Sequence, residues 1–257
     1  MKKLIFLITS LLIFLSTFNN EVFAHEGARV EVELEGSSVL QAGDIAIDFQ
    51  LIDEKNKTVL KDQDLSVVHE KILHVFIFDA ALKEFRHEHP EFNNSKWQLS
   101  THLPVNGTYW IWMQGKIASD GKEFSAEAKI KIKNGMTANP LPPVLGDVRS
   151  ESDGISTVTL SNDNLIAKKM VMLTAKFSRT DGTNPELTPF LGELAHVITT
   201  SSDAQTLIHV HPMDHGTPNE LMIHAVFPKA GEYRLWVQFI DANILRTIPL
   251  AVKVTAK

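Results

Sequence analysis

The chain has 257 residues, of which 44% are hydrophobic, 22% charged and 8% aromatic. This globular composition excludes a disordered, collagen-like or coiled-coil chain. The formal net charge of −6 and an isoelectric point of about 6.0 leave no basic footprint for nucleic acid, and the absence of cysteine removes disulfides, thiolate metal sites, cysteine nucleophiles and a lipidated-cysteine anchor together.

The first segment reads as a targeting signal. Lys2 and Lys3 precede an apolar run from Leu4 to Phe18, and Val22-Phe23-Ala24 supplies small or modest side chains at a cleavage site. A signal peptide over residues 1–24 therefore leaves His25 as the mature N-terminus. The alternative is an uncleaved anchor, but the run is shorter than the ~20 apolar residues that a spanning helix needs. The expectation is a periplasmic or secreted protein with no membrane anchor after cleavage.

Strand patterns follow on both sides of a break. Val30, Val32 and Leu34 alternate with Arg29, Glu31 and Glu33. Phe124, Ala126, Ala128, Ile130 and Ile132 alternate with polar residues in the same way, a period of two with one wet face. Residues 134–147 (NGMTANPLPPVLGD) hold three prolines and two glycines with no apolar period, which marks a semi-rigid linker. The predicted domains are residues 25–133 and 148–257. In the second, Tyr233, Leu235, Val237 and Phe239 alternate with Arg234, Trp236 and Gln238.

The two halves copy one another. His74, His87 and His89-Pro90 have the same gaps as His196, His209 and His211-Pro212. Downstream, Pro104, Gly107, Tyr109, Trp112 and Gln114 align with Pro228, Gly231, Tyr233, Trp236 and Gln238. Gly-x-Tyr entering a strand has the form of the tyrosine corner of immunoglobulin-like sandwiches. The fold class is all-β: two tandem immunoglobulin-like antiparallel β-sandwich domains after a signal peptide.

The histidines carry the chemistry. A symmetric hairpin over residues 74–89 pairs His74 with His89 and Phe76 with His87, so the three histidines share one face. The second copy gives the same triangle from His196, His209 and His211. An odd residue in the loop would turn His74 away from the others, so the inference depends on register. Phe76, Phe78 and Phe85 lie on the same face, and structural packing of the histidines is the alternative. Clustered imidazoles in an apolar setting need partners, and a metal ion supplies them together. Met213, His215 and His224 are possible additional ligands beside the second triad, with His69 and His102 as the extras of the first half. His25 is another, since a terminal amine beside its own imidazole can chelate copper. Imidazole without thiolate suits copper first, with zinc or nickel as alternatives. For histidines of ordinary acidity, metal affinity is expected to fall between about pH 7 and 5.

The paired HxHP repeats, each followed by (F/L)P-x-x-G-x-Y, resemble a family of exported bacterial Ig-like-repeat proteins regarded as heavy-metal or copper binders. The resemblance implies ligands at His74, His87, His89, His196, His209 and His211. Arg86-His87-Glu88 departs from the more apolar His-Val-His of the second copy, which implies unequal sites. Neither an HExxH helix nor a GxSxG elbow is present. The leading expectation is an exported metal buffer or carrier, not a catalyst, whose partner is the ion. Two alternatives stand beside it. One is a copper oxygenase or oxidase using His25, with Trp110, Trp112 and Trp236 as an aromatic platform. The other is a structural or adhesive Ig-like module with a protein partner.

Overall fold

Alternation with a period of two gives each strand one face for a sandwich interior, and the computed structural model arranges these strands in two sandwiches joined by a short connection. It describes residues 29–140, 145–161, 163–210, 212–214 and 216–257. The signal-peptide segment with His25, and the candidate ligands His211 and His215, lie outside the described residues. No helix among those residues is long and apolar enough to cross a membrane.

The first domain contains β1 (Val30–Leu34), β2 (Val39–Gln41), β3 (Gly43–Asp53), β4 (Thr58–Val59), β5 (Leu65–Ser66) and β6 (Leu73–Asp79). It continues with β7 (Phe85–Glu88), β8 (Glu91–Asn93), β9 (Lys96–Leu103), β10 (Gly107–Ile117) and β11 (Glu123–Lys133). One sheet has the order β1-β3-β9-β8 with β4 on β3; the other is β2-β11-β10-β6-β7 with β5 on β10. Phe49, Leu51, Trp97, Ile111, Met113 and Ile130 fill the space between them.

The second domain contains β12 (Ser150–Ser152), β13 (Ser156–Leu160), β14 (Met170–Arg179), β15 (Leu187–Thr188) and β16 (His196–Ser201). After these come β17 (Leu207–Val210), β18 (Met213–Asp214), β19 (Glu220–Val226), β20 (Gly231–Asp241) and β21 (Ile244–Val254). Its sheets are β12-β13-β14-β19-β18 and β15-β20-β16-β17, with β21 on β20. Val158, Leu173, Phe177, Val237 and Phe239 form its core.

The shared Gly-x-Tyr behaves identically in both copies. Gly107 and Gly231 have φ of 149° and 150°, a backbone that a side chain disfavours. The tyrosine hydroxyl two residues on donates to a carbonyl four residues back, Tyr109 to Val105 at 3.0 Å and Tyr233 to Lys229 at 2.9 Å. This is the corner that the sequence implied.

Strand β6 is buried along its whole length. Leu73, Val75 and Ile77 enter the sandwich core, whereas Phe76 and Phe78 point the opposite way and join a third apolar cluster. That cluster spans both domains: Phe76, Phe78, Leu82 and Trp112 meet Ile198, Leu207, Trp236 and Ala251, with Leu145 and Val148 added from the connection. Trp236 stacks on Phe85 at 4.5 Å and on Phe78 at 5.5 Å between ring centroids. A side chain of this size taken fully out of water contributes about 1.5–3 kcal/mol, so these aromatics hold the two sheets face to face. Trp112 and Trp236 are each 1% exposed. They are interdomain packing, and the aromatic platform expected for an oxygenase does not form from them.

Candidate metal centre

The register that the spacing implied is present in both domains. On β6 and β7, Phe76 pairs with His87 and Val75 with Glu88. On β16 and β17, Ile198 pairs with His209 and Val197 with Val210. The histidines therefore leave each sheet on the side that carries Phe76 and Phe78 in one domain and Ile198 in the other. Because those sides face each other, the imidazoles of the two repeats converge at one place. The sequence pointed to one triangle in each domain; the fold sets the first against His196 and His209 of the second.

In the first domain the nitrogens of His74, His87 and His89 all lie within 4.8 Å of one another. His74 Nδ1 is 3.0 Å from His87 Nε2 and 3.3 Å from His89 Nε2. The facing pair from the second domain, His196 Nδ1 and His209 Nε2, is separated by 3.4 Å. Ring centroids are 5.6 Å apart for His74 and His209, and 6.0 Å for His87 and His196. His69 also arrives here, 6.0 Å from the His196 ring, with its Nδ1 3.4 Å from a Glu193 carboxylate oxygen.

Hydrogen bonds on the other ring nitrogens settle the tautomers. A carbonyl oxygen only accepts, so His74 Nε2 must donate to Val68 O at 3.0 Å. His74 Nδ1 then carries a lone pair. Gln238 Oε1, an oxygen that only accepts, lies 2.8 Å from His87 Nδ1, and the Gln238 amide nitrogen lies 3.1 Å from Thr247 Oγ1. His87 Nε2 thus carries a lone pair as well. Two lone pairs facing each other at 3.0 Å repel unless a proton or a metal ion stands between them. In the second domain His196 Nε2 donates to Phe190 O at 2.8 Å, which turns the Nδ1 lone pair toward His209. Donation of the second N–H to a carbonyl or amide is the usual way a metal-binding histidine is oriented.

Distance favours the metal. Two nitrogens each ~2.0–2.1 Å from one ion at a tetrahedral angle lie about 3.3 Å apart. The observed separations of 3.0, 3.3 and 3.4 Å bracket that value. Burial disfavours the proton. It lowers His89 to about 3 and His196 to about 4, keeps His74 below the ordinary imidazole value and His87 well below it. His74 is 3% exposed and His196 fully buried. His74, His87, His89 and His196 are therefore held in the neutral form at pH 7, the form that binds metal. Burial thus shifts proton competition within the folded protein to lower pH than for ordinary histidines.

The same small turn supports each half. Val68 bridges Lys71 and Phe190 bridges Glu193, and the two central residues of each turn have positive φ: His69 and Glu70 at 46° and 64°, Leu191 and Gly192 at 52° and 81°. This is the type I′ pattern. It aims the carbonyl six residues before each buried histidine at that histidine's Nε2. The sequence did not reveal these carbonyl partners. Gln238 was visible only as a marker of the repeat, with no role attached.

Other candidates lie elsewhere. His102, on β9 in the opposite sheet of the first domain, has its Nδ1 2.6 Å from an Asp44 oxygen. Met213 and His224 belong to the opposite sheet of the second domain, because the chain changes sheets at Pro212 between β17 and β18. That sheet is not the one that carries His196 and His209.

Fold and site together define a tandem immunoglobulin-like sandwich protein with an imidazole cluster between its repeats. The chain belongs to the family described as Domain of unknown function (DUF8832), whose model matches twice, over residues 24–134 and 150–256. No curated protein matches the chain. Among solved structures it is similar to fibronectin(III)-like modules of Clostridium thermocellum CbhA, at 14% identity over 88% of this chain and 94% of that one, with a TM-score of 0.24. It is also similar to the bacterial integrin-binding protein invasin, at 13% identity over 89% of this chain and 39% of that one, with a TM-score of 0.25. A titin A168–A169 structure matches at 11% identity over 90% and 98% of the two chains, with a TM-score of 0.21. Scores this low carry no functional argument.

Proposed function

We propose that this protein is an exported metal-binding protein that takes copper in its interdomain histidine cluster and acts as a buffer or carrier. The observation that carries the reading is the convergence of His74 Nδ1, His87 Nε2 and His89 Nε2 at separations suited to one ion. The tautomers set by Val68 and Gln238 point lone pairs inward. Copper leads because it stands highest in the Irving–Williams order for a nitrogen site, with zinc or nickel as weaker occupants. His196 and His209 supply the facing wall, so an ion bound here ties the repeats together. Export follows from residues 1–24 read as a signal peptide.

Elemental analysis of the mature protein after copper loading and exhaustive dialysis tests the reading. At least one tightly held ion is expected in the wild type and none at this site in a His74→Ala, His87→Ala variant. Equal copper in both would end the proposal. The immunoglobulin-like fold is also that of a structural module, and a module role predicts no metal dependence of stability. The oxygenase reading rests on His25 as the mature terminus, which N-terminal sequencing decides.

A further inference from the structure

The outer face of the second domain's other sheet carries a feature that the buried cluster does not use. Four of the seven methionines of the chain, Met170, Met172, Met213 and Met222, lie on the same sheet as His224. Met172 pairs with His224 across β14 and β19, and Met213 pairs with Met222 across β18 and β19. Met222 and His224, two residues apart on one strand, share the same face. His224 Nε2 lies 2.9 Å from Met222 Sδ. Met170, Met172 and Met213 are 55%, 61% and 43% exposed, so packing does not account for them.

The first repeat serves as an internal comparison. His102 stands thirteen residues after His89, as His224 does after His211, and lies two residues nearer the strand end marked by Pro104 and Pro228. The cross-strand partner of His102 is Asp44, whereas that of His224 is Met172. The neighbours of His102 on that face are Ser100 and Gln98 on β9, with Ala46 and Asp48 on β3. One repeat thus surrounds its surface histidine with a carboxylate and polar groups, the other with thioethers. Thioether sulfur is soft and polarizable and selects Cu(I) over hard divalent ions.

We infer that Met172, Met213, Met222 and His224 form a second metal site, on the surface, for a soft monovalent cation of the Cu(I) or Ag(I) type. Directly opposed pairs place their Cβ atoms ~5 Å apart, and an unbranched methionine spans that gap with its sulfur. This site differs from the buried cluster in ligand softness and in accessibility, and it stands whether or not the buried cluster binds copper.

Ag(I), which does not change oxidation state on binding, is the probe. Methionine-methyl NMR of the full mature protein follows the titration. The expected result is a shift of the Met172, Met213 and Met222 methyl signals that saturates near one equivalent, while Met113 in the core stays still. A Met172→Leu, Met222→Leu variant keeps the apolar volume and should bind at least tenfold more weakly. The shifts should persist in a His74→Ala, His87→Ala variant, which separates this site from the buried one. Methyl signals that stay fixed through one equivalent of Ag(I), or shifts that vanish with the buried histidines, would overturn the inference. The wild-type titration decides the matter even if a variant fails to fold.

Discussion

His87 of the first domain donates from Nδ1 to Gln238 Oε1 of the second at 2.8 Å. The bond makes docking of the domains and orientation of a candidate ligand the same event. Gln238 is itself held by Thr247 and is 4% exposed, so the acceptor is fixed before an ion arrives.

Replacing Gln238 should therefore weaken metal binding without removing a ligand. Loss of such an outer partner typically costs 10–100-fold in affinity. A Gln238→Leu variant should show that loss in a competition titration. Gln238→Glu keeps an oxygen acceptor for His87 and should retain more affinity than the leucine variant. Wild-type affinity in Gln238→Leu would show that the tautomer of His87 is not set from the second domain.

Acid should act on the metal-free protein through the same histidines. Their folded values lie below the ordinary ~6.5 of the unfolded chain, with His89 at about 3 and His196 at about 4. Between those values the unfolded state binds more protons. Stability therefore falls as pH drops from about 6.5 toward 4, and it is retained above that window. Metal affinity of the folded protein should fall less steeply with acid than that of a site built from ordinary histidines, since burial keeps its ligands neutral to lower pH. Melting curves at stepped pH, with and without copper, measure both effects. A metal-free melting temperature that stays level from pH 6.5 to 4 would contradict the burial of these imidazoles.

Trp236 offers a test of docking that touches no candidate ligand. It is 1% exposed and stacks on Phe78 and Phe85 of the other domain. Trp236→Ala should cost about 3–5 kcal/mol in denaturant unfolding and lower copper affinity by loosening the contact that aligns the cluster. Unchanged affinity alongside the stability loss would mean that the first-domain triad works alone.

Much of this was legible from residue patterns. Alternation gave the strands, the repeated gaps gave the duplication, and the spacing from His74 to His89 gave a register that β6 and β7 adopt. The apposition of the repeats was harder to read. Phe76 and Phe78 look like core residues in sequence, yet the core already takes Val75 and Ile77 on the other side of the same strand. A strand apolar on both faces signals a second partner, and Leu73–Asp79 carried that signal. The turn at His69-Glu70 was hidden for another reason. Type I′ turns usually announce themselves with glycine or asparagine, and this copy has neither; only Gly192 in the other copy shows the preference.

X-ray absorption at the copper edge, on protein loaded with one equivalent of Cu(II), tests the central claim most directly. The account predicts nitrogen neighbours at about 2.0 Å, with the outer-shell scattering of three or more imidazole rings, and loss of that pattern in the His74→Ala, His87→Ala variant. An oxygen-dominated shell without imidazole scattering, or a spectrum unchanged in the variant, would contradict it.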